Sequence, residues 1–396
     1  MPIFLAYETA VEAICYLRTR EHDDTAWRKP SRKTSIYDAI STKRELRTLL
    51  AELDEYFLTH KGPMQDDIEE FDDLDDLFYL DELTDLREDE MDREDPQEVE
   101  SRASILTRLT YPLHVLIPSA AKKNRTGTLV THVWADEIPA RSFIEIEPNV
   151  YLSTPAFTFL QMAGALMHTE LIQLAMQFCG FYSPSPRFGR LDPALADKPL
   201  TELHHMMTST GVVFEIDPVS SVQALHKFVE RERGRRGAAQ ALAALEIARD
   251  HAASHMETAL YLLLCLPVRL GGYGLPKPEL NPKVVVVEAS GSKTCYPDLY
   301  WRGASVDVEY NSDSEHCGPS AHYKDSKRMV AIVCNRITYL SITTKQLFRA
   351  GDLDNAARGV SRMLNHRIRY TDEKWRQKRT LLRAAVLPPA EEGLAG

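Results

Sequence analysis

The residues with the most evident chemistry lie in CYPDLYWRGASVDVEYNSDSEH, residues 295–316, where Asp298 follows Pro297 and Asp307 and Glu309 sit two apart in a short alternating run. In an extended strand successive side chains take opposite faces, so Asp307, Glu309 and Asn311 share one face and Val306, Val308 and Tyr310 the other. A hairpin through Arg302, Gly303 and Ala304 would fold the preceding strand back and bring Asp298 opposite Glu309. Two carboxylates on one face suit a hard cation such as Mg²⁺ or Mn²⁺, which takes oxygen ligands and keeps waters for its remaining positions. Such an ion orients a water, lowers its pKa and screens charge developing on a phosphate. Asp298, Asp307 and Glu309 are therefore the carboxylates from which such an ion could be held, while Asp307 also reads as the solvated face of an ordinary strand or a supporting group.

Those carboxylates need elements to hold them. A helix around residues 255–266 carries Glu257 near its start, where the helix dipole also favours an acid. KVVVVEAS, PDLYWR and SVDVEYN read as three strands, residues 320–334 as a helix, and ITYLSIT as a fourth strand. That order predicts an α/β sandwich with a mixed sheet. Upstream, residues 1 to about 62 read as helices, with Leu46, Leu49, Leu50, Leu53 and Phe57 at helical spacing. PLHVLIPS, TLVTHVWA, SFIEIEP and NVYLST read as strands, and TPAFTFLQMAGALMHTELIQLAMQFCG as one helix from a Thr154 N-cap to Gly180. Helices follow over about 220–265, with a basic run at residues 227–236, and over 353–386, which is rich in arginine.

Taken in order, METALYLLLCLP, CYPDLYW, VDVEYNSDSEH and KDSKR resemble the domain shared by very-short-patch-repair endonucleases and their relatives in the PD-(D/E)xK nuclease superfamily. The resemblance spans about residues 250–350. It implies a restriction-endonuclease-like three-layer core with a mixed sheet, and a Mg²⁺- or Mn²⁺-dependent DNA endonuclease. It assigns catalysis to Glu257, Asp298, Glu309 and His316, and the metal to Asp298 and Glu309. Asp325 and Arg328 match its D-x-x-R helix, where they also read as an ion pair locking that helix near the sheet. The lysine of the family's E-x-K triplet is replaced by Asn311, leaving His316, Lys324 and Lys327 to provide positive charge. DNA phosphates would be met by Lys324, Lys327, Arg328, Arg369 and Arg376. A nuclease fold without turnover, binding DNA as an antitoxin-like regulator, is the alternative that the missing lysine keeps open.

The upstream half resembles the middle part of AbiEi-type antitoxins of phage-defence loci, through PLHVLIPSAAKKNRTGTLVTHVW, VYLSTPAFTFLQMA and ELIQLAMQFCGFY. The expected organisation is an N-terminal helical region (1–64), an acidic linker or insert (65–102), an AbiEi-like mixed α/β region (103–248), a nuclease-like domain (249–352) and a basic helical tail (353–396). The fold class is thus α/β in the α+β sense, with a mainly helical region and a small β portion before the C-terminal core.

Composition bounds the function classes. The 396 residues exceed one typical domain. Residues 66–100 hold nineteen Asp and Glu against two Arg, a charge of −17 out of −11 for the whole, so the other 361 residues sum to +6. Nucleic acid therefore stays a reasonable partner, and the acidic tract is expected to be a solvated linker or to dock on a basic surface. The six cysteines form no CxxC and fit no zinc spacing. The longest apolar run, residues 259–268, is too short to span a bilayer, and a cytoplasmic location is expected.

Overall fold

The computed structural model describes residues 1–20, 30–31, 35–36, 38–60, 104–134, 136–184, 212–288, 291–311, 334–369 and 372–388. The described residues of Met1–Met162 form one compact unit, and those of Ala163–Ser185 and Pro199–Gly396 a second. Both mix helices with sheets. Among the described residues no helix is long and apolar enough to cross a membrane.

The first unit is built on a five-stranded sheet. Its strands are β1 (Ile3–Leu5), β2 (Leu113–Ile117), β3 (Leu129–Val133), β4 (Phe143–Glu147) and β5 (Val150–Ser153), in the order β3-β2-β1-β5-β4. The N-terminal residues are thus not only helical. Ile3, Phe4 and Leu5 form the middle strand, fully buried, antiparallel to β2 and parallel to β5. Three residues are too few to display alternation, and a strand covered on both faces reads as a plain apolar run. Helices α1 (Tyr7–Arg20) and α3 (Pro155–Met162) pack on one another, with α1 against β2 and β5; α2 spans Lys43–His60. Phe143 stands between Phe4 and Phe157, with ring centroids 4.9 and 5.7 Å apart, and fixes α3 against the sheet.

The long helix expected from Thr154 to Gly180 is two helices, α3 and α4 (His168–Phe178), parted by a turn at 163–165. Glu170 explains the restart: its Oε2 accepts the Met167 backbone N–H at 2.9 Å, satisfying a donor that a continuing helix would have used internally.

In the second unit, β6 (Tyr182–Pro184) and β7 (Val212–Phe214) form a small antiparallel pair, and α4 packs with α6 (Ala238–Leu245), which packs in turn with α5 (Val222–Arg231). Helix α7 (His255–Cys265) is buried along its whole length, as its all-round apolar sequence demands. It lies against the four-stranded sheet β13-β12-β11-β8, made of β8 (Glu279–Leu280), β11 (Leu299–Trp301), β12 (Val306–Asn311) and β13 (Thr338–Thr343). β11 runs antiparallel to β8 and β12, whereas β13 runs parallel to β12.

The valine-rich KVVVVEAS is a strand but not a member of that sheet. As β9 (Val284–Glu288) it forms a separate hairpin with β10 (Gly291–Cys295). Val284 and Val286 are buried while Val285 and Val287 stand 58% and 63% exposed, so four consecutive valines conceal an ordinary one-sided strand.

The C-terminal helices α8 (Thr344–Phe348), α9 (Ala350–Met363) and α10 (Glu373–Val386) close the unit. Arg379 of α10 donates to Asp354 and to the Ala350 carbonyl, each at 2.5 Å, and lies over the rings of Trp375 and Tyr273. Helix α10 meets the turn at Gly271, whose φ of +95° suits only glycine and whose missing Cβ would stand 2.6 Å from the Lys378 carbonyl oxygen. Gly271→Ala is therefore expected to lower stability by about 2 kcal/mol or more. Urea unfolding checks this, and a change below about 0.5 kcal/mol would show that α10 does not rely on that approach.

Candidate functional site

Asp298 and Glu309 lie side by side across the β11–β12 pair, and Glu257 of α7 is near enough to Asp298 for their charges to interact. Ser254 caps α7, its Oγ accepting the Glu257 N–H at 3.0 Å. The Glu257 side chain turns back, so that Oε2 accepts the Ala253 N–H at 2.9 Å and an Asn281 Nδ2–H at 2.6 Å. Asn281 also donates its backbone N–H to the Asp298 carbonyl at 3.2 Å and so ties the Glu257 side chain to the Asp298 loop. Nothing in the alternation pattern marks Asn281; only the pairing of β8 with β11 brings it there.

The hairpin through 302–304 forms. Leu299 pairs with Val308, which puts Asp298 one step further along, beside Glu309. Asp298 Oδ2 accepts the Tyr310 N–H at 2.7 Å. Glu309 is 5% exposed on β12, between β11 and β13. Asp307, expected on a solvated face, is instead 2% exposed, because β12 is a central strand covered on both sides. Asn311, at the position of the family's lysine, donates through Nδ2 to Ser341 Oγ at 2.6 Å. Ser341 is the register partner of Glu309, so the amide serves the β12–β13 pairing on the Glu309 face.

Glu257 carries the electrostatic signature of the site. Burial first, and the negative charge of Asp298 second, push its pKa up to about 8, against the hydrogen bonds that favour its ionised form. A carboxyl that holds its proton near neutral pH beside a second carboxylate is a group that a cation would ionise. His316, Lys324, Asp325, Lys327 and Arg328 lie outside the described residues, as does the acidic tract at 66–100.

The arginine-rich tail divides by role. Arg379 is buried, and Arg383 caps α8 through the Leu347 and Phe348 carbonyls at 3.0 and 2.6 Å, so both are fasteners. Arg376 is exposed and pairs with Glu373 at 3.3 Å. Arg369 lines a cavity of about 400 Å³ together with Arg358, Arg362, Arg367 and Asp354. In the 227–236 run, Arg233 and Arg235, in the turn that follows α5, pair with Glu230 and Glu232 three residues before them, at 2.7 and 2.5 Å.

A second cluster was not anticipated. Glu8, His114 and His132 in the first unit are the one group of three His, Cys, Asp or Glu side chains, among the described residues, whose ligand atoms all lie within 4.8 Å of one another. Glu257, Asp298 and Glu309 do not meet that distance as a threesome. His114 Nδ1 stands 3.1 Å from His132 Nε2 and in closer contact with Glu8 Oε2. Burial raises the Glu8 carboxyl, but the hydrogen bond and charge of His114 outweigh it and the net shift is downward. Burial, then His114, push His132 down to about 4. The signal was one histidine inside each of two apolar strands, LHVLI and LVTHV, and it becomes legible only once those strands are known to pair.

Comparisons of the chain with protein-family models, with curated proteins and with solved structures find no match.

The raised pKa of Glu257 has a consequence for stability. The folded state holds this proton more tightly than the unfolded chain, so the unfavourable contribution is absent below the ordinary value of 4.5, grows as pH rises, and is complete above about 8. Glu257→Gln removes the titration and keeps an acceptor. It is expected to be more stable than wild type at pH 8 by about 1 kcal/mol or more, one pKa unit being worth about 1.4 kcal/mol. The two should converge by pH 5 in metal-free urea unfolding; a wild type more stable at pH 8 would contradict the assignment.

Proposed function

We propose that the second unit is a restriction-endonuclease-like domain that hydrolyses DNA phosphodiester bonds with Mg²⁺ or Mn²⁺. The observation that carries this reading is the buried Glu257 carboxyl placed beside Asp298, which in turn stands beside Glu309 across the β11–β12 pair. The oxygen-only donors support the same reading, as does a mixed sheet packed against α7. Asp298 and Glu309 would hold the ion, with Glu257 assisting through water. Bound there, a divalent ion supplies Lewis acidity and lowers the pKa of a water.

The chain's own residues do the rest. The Tyr310 N–H and Asn281 fix the orientations of Asp298 and Glu257, so that little reorganisation is needed when the site loads. Glu257, once ionised, is a base able to take a proton from an attacking water. His316 is the candidate donor to the leaving oxygen. Arg369 and its neighbours in the basic cavity, with Arg376, Lys324, Lys327 and Arg328, would meet backbone phosphates and position the duplex without reading its sequence. The upstream likeness to AbiEi-type antitoxins fits a role in phage defence or repair.

One observation favours a second reading. Asn311 is committed to Ser341, so the neutral replacement of the family's lysine is built into the sheet. A domain that binds DNA as a regulator without cutting it would keep the basic cavity and lose only turnover.

Plasmid nicking distinguishes the two. Wild type is expected to nick supercoiled DNA with Mg²⁺ or Mn²⁺ and not with EDTA, and Glu309→Gln and Asp298→Asn to lose about 100-fold or more, the several kcal/mol a metal contributes to such a transition state. Equal cleavage by wild type and Glu309→Gln removes the assignment. Salt-sensitive DNA binding without metal-dependent cleavage leaves the regulator reading in its place.

A further inference from the structure

We propose that Glu8, His114 and His132 form a second metal site, in the first unit, for a borderline divalent transition metal such as Zn²⁺. It is chemically unlike the carboxylate site of the second unit. Two imidazoles and one carboxylate are a donor set that such metals favour over Mg²⁺, which prefers oxygen alone.

The argument rests on three observations. First, the fold delivers the donors from three elements onto one spot. His114 pairs in register with Val130, and Leu116 with His132, so the two histidines are diagonal neighbours on one face of the parallel β2–β3 pair. Glu8 enters from the first turn of α1, directly after the central strand.

Second, the hydrogens available do not satisfy the atoms that meet there. His114 Nδ1 is within contact of both Glu8 Oε2 and His132 Nε2. If Nδ1 carries its hydrogen, that hydrogen serves Glu8, and the lone pair of His132 Nε2 has no good donor in this direction. If Nδ1 is bare, it can accept from His132 but then faces the lone pairs of the carboxylate. A cation placed among the three receives a lone pair from each and removes this conflict. Metal–ligand bonds of about 2.0–2.1 Å at tetrahedral angles set donor atoms about 3.3 Å apart, so the present 3.1 Å between the histidine nitrogens needs little change.

Third, the surroundings hold the ligands in place. The Tyr7 ring stacks on His132 with centroids 3.9 Å apart and planes within 22°. Tyr7 does so from a left-handed backbone with φ of +52°, a conformation an aromatic residue adopts only when its neighbours compel it. The His114 backbone is pinned on both sides, its N–H donating to Thr9 Oγ1 at 2.9 Å and its carbonyl accepting the Ala6 N–H at 2.9 Å. Three protein donors leave at least one position for water or substrate, and all three side chains are only half-buried. That is the coordination of a reactive site; structural zinc sites use four protein ligands.

The test uses the full chain, stripped of metal and titrated with Zn²⁺, and with Co²⁺ as a spectroscopic stand-in. Wild type is expected to bind one equivalent of Zn²⁺ that excess Mg²⁺ does not displace, and to melt at a higher temperature with Zn²⁺ bound. Co²⁺ should give the visible bands of a four- or five-coordinate nitrogen and oxygen site, without a thiolate charge-transfer band. His132→Ala and Glu8→Gln should each weaken Zn²⁺ by about 100-fold or more, whereas Glu309→Gln should leave it unchanged. The proposal is overturned if Zn²⁺ binding is undetectable in wild type, if it survives His132→Ala, if a thiolate band appears, or if Glu309→Gln abolishes it. Should His132→Ala fail to fold, His132→Gln and the wild-type Co²⁺ spectrum still decide between an imidazole-bound ion and a purely hydrogen-bonded triad.

Discussion

A carboxylate held out of water beside another carboxylate is the constraint around which the second unit is arranged. Desolvation and like charge both resist ionisation of Glu257, and the structure answers with three devices: a serine cap that sets the helix start, a backbone amide, and the Asn281 side chain. The first two lie just before α7, whereas Asn281 is delivered by the pairing of β8 with β11, so that pairing cannot slip without removing a donor from the acid. An apolar residue at so buried a position of the helix would need none of these devices.

How much of this was legible depends on the range of the interaction. The alternation of SVDVEYN and the turn that follows PDLYWR are local, and the hairpin they imply is present with Asp298 next to Glu309. Whether a strand is central or at an edge is not local. For that reason Asp307 read as solvated although β12 has a neighbour on each side. The same limit applies to β9, whose valines look like core but alternate between buried and exposed, and to β1, whose three residues fall below any periodicity. The division of α3 from α4 depends on Glu170 folding back onto Met167, a capping contact that periodicity does not report.

Charge counting fails in a different way. The tail reads as uniformly basic, yet Arg379 and Arg383 are spent on Asp354 and on helix-end carbonyls, while Arg358, Arg362, Arg367 and Arg369 open onto a cavity. A guanidinium in contact with Trp375 and Tyr273 contributes packing and hydrogen-bond geometry rather than a field that DNA can feel. Among the described residues of the tail, the positive charge left open to solvent is therefore smaller than a count of its arginines implies.

The two clusters of ligand-type residues differ in what the fold sets beside a carboxylate. Glu8 has histidines as neighbours, and their hydrogen bond and charge overcome burial to hold it ionised. Glu257 has Asp298, and the two together hold a proton instead. The first set puts imidazole nitrogens beside an ionised acid, the donors on which the proposed transition-metal site rests. The second offers oxygen alone beside a held proton, the donors on which the proposed Mg²⁺ or Mn²⁺ site rests. Strand register decides both outcomes: β2 against β3 gathers the imidazoles, and β11 against β12 gathers the acids.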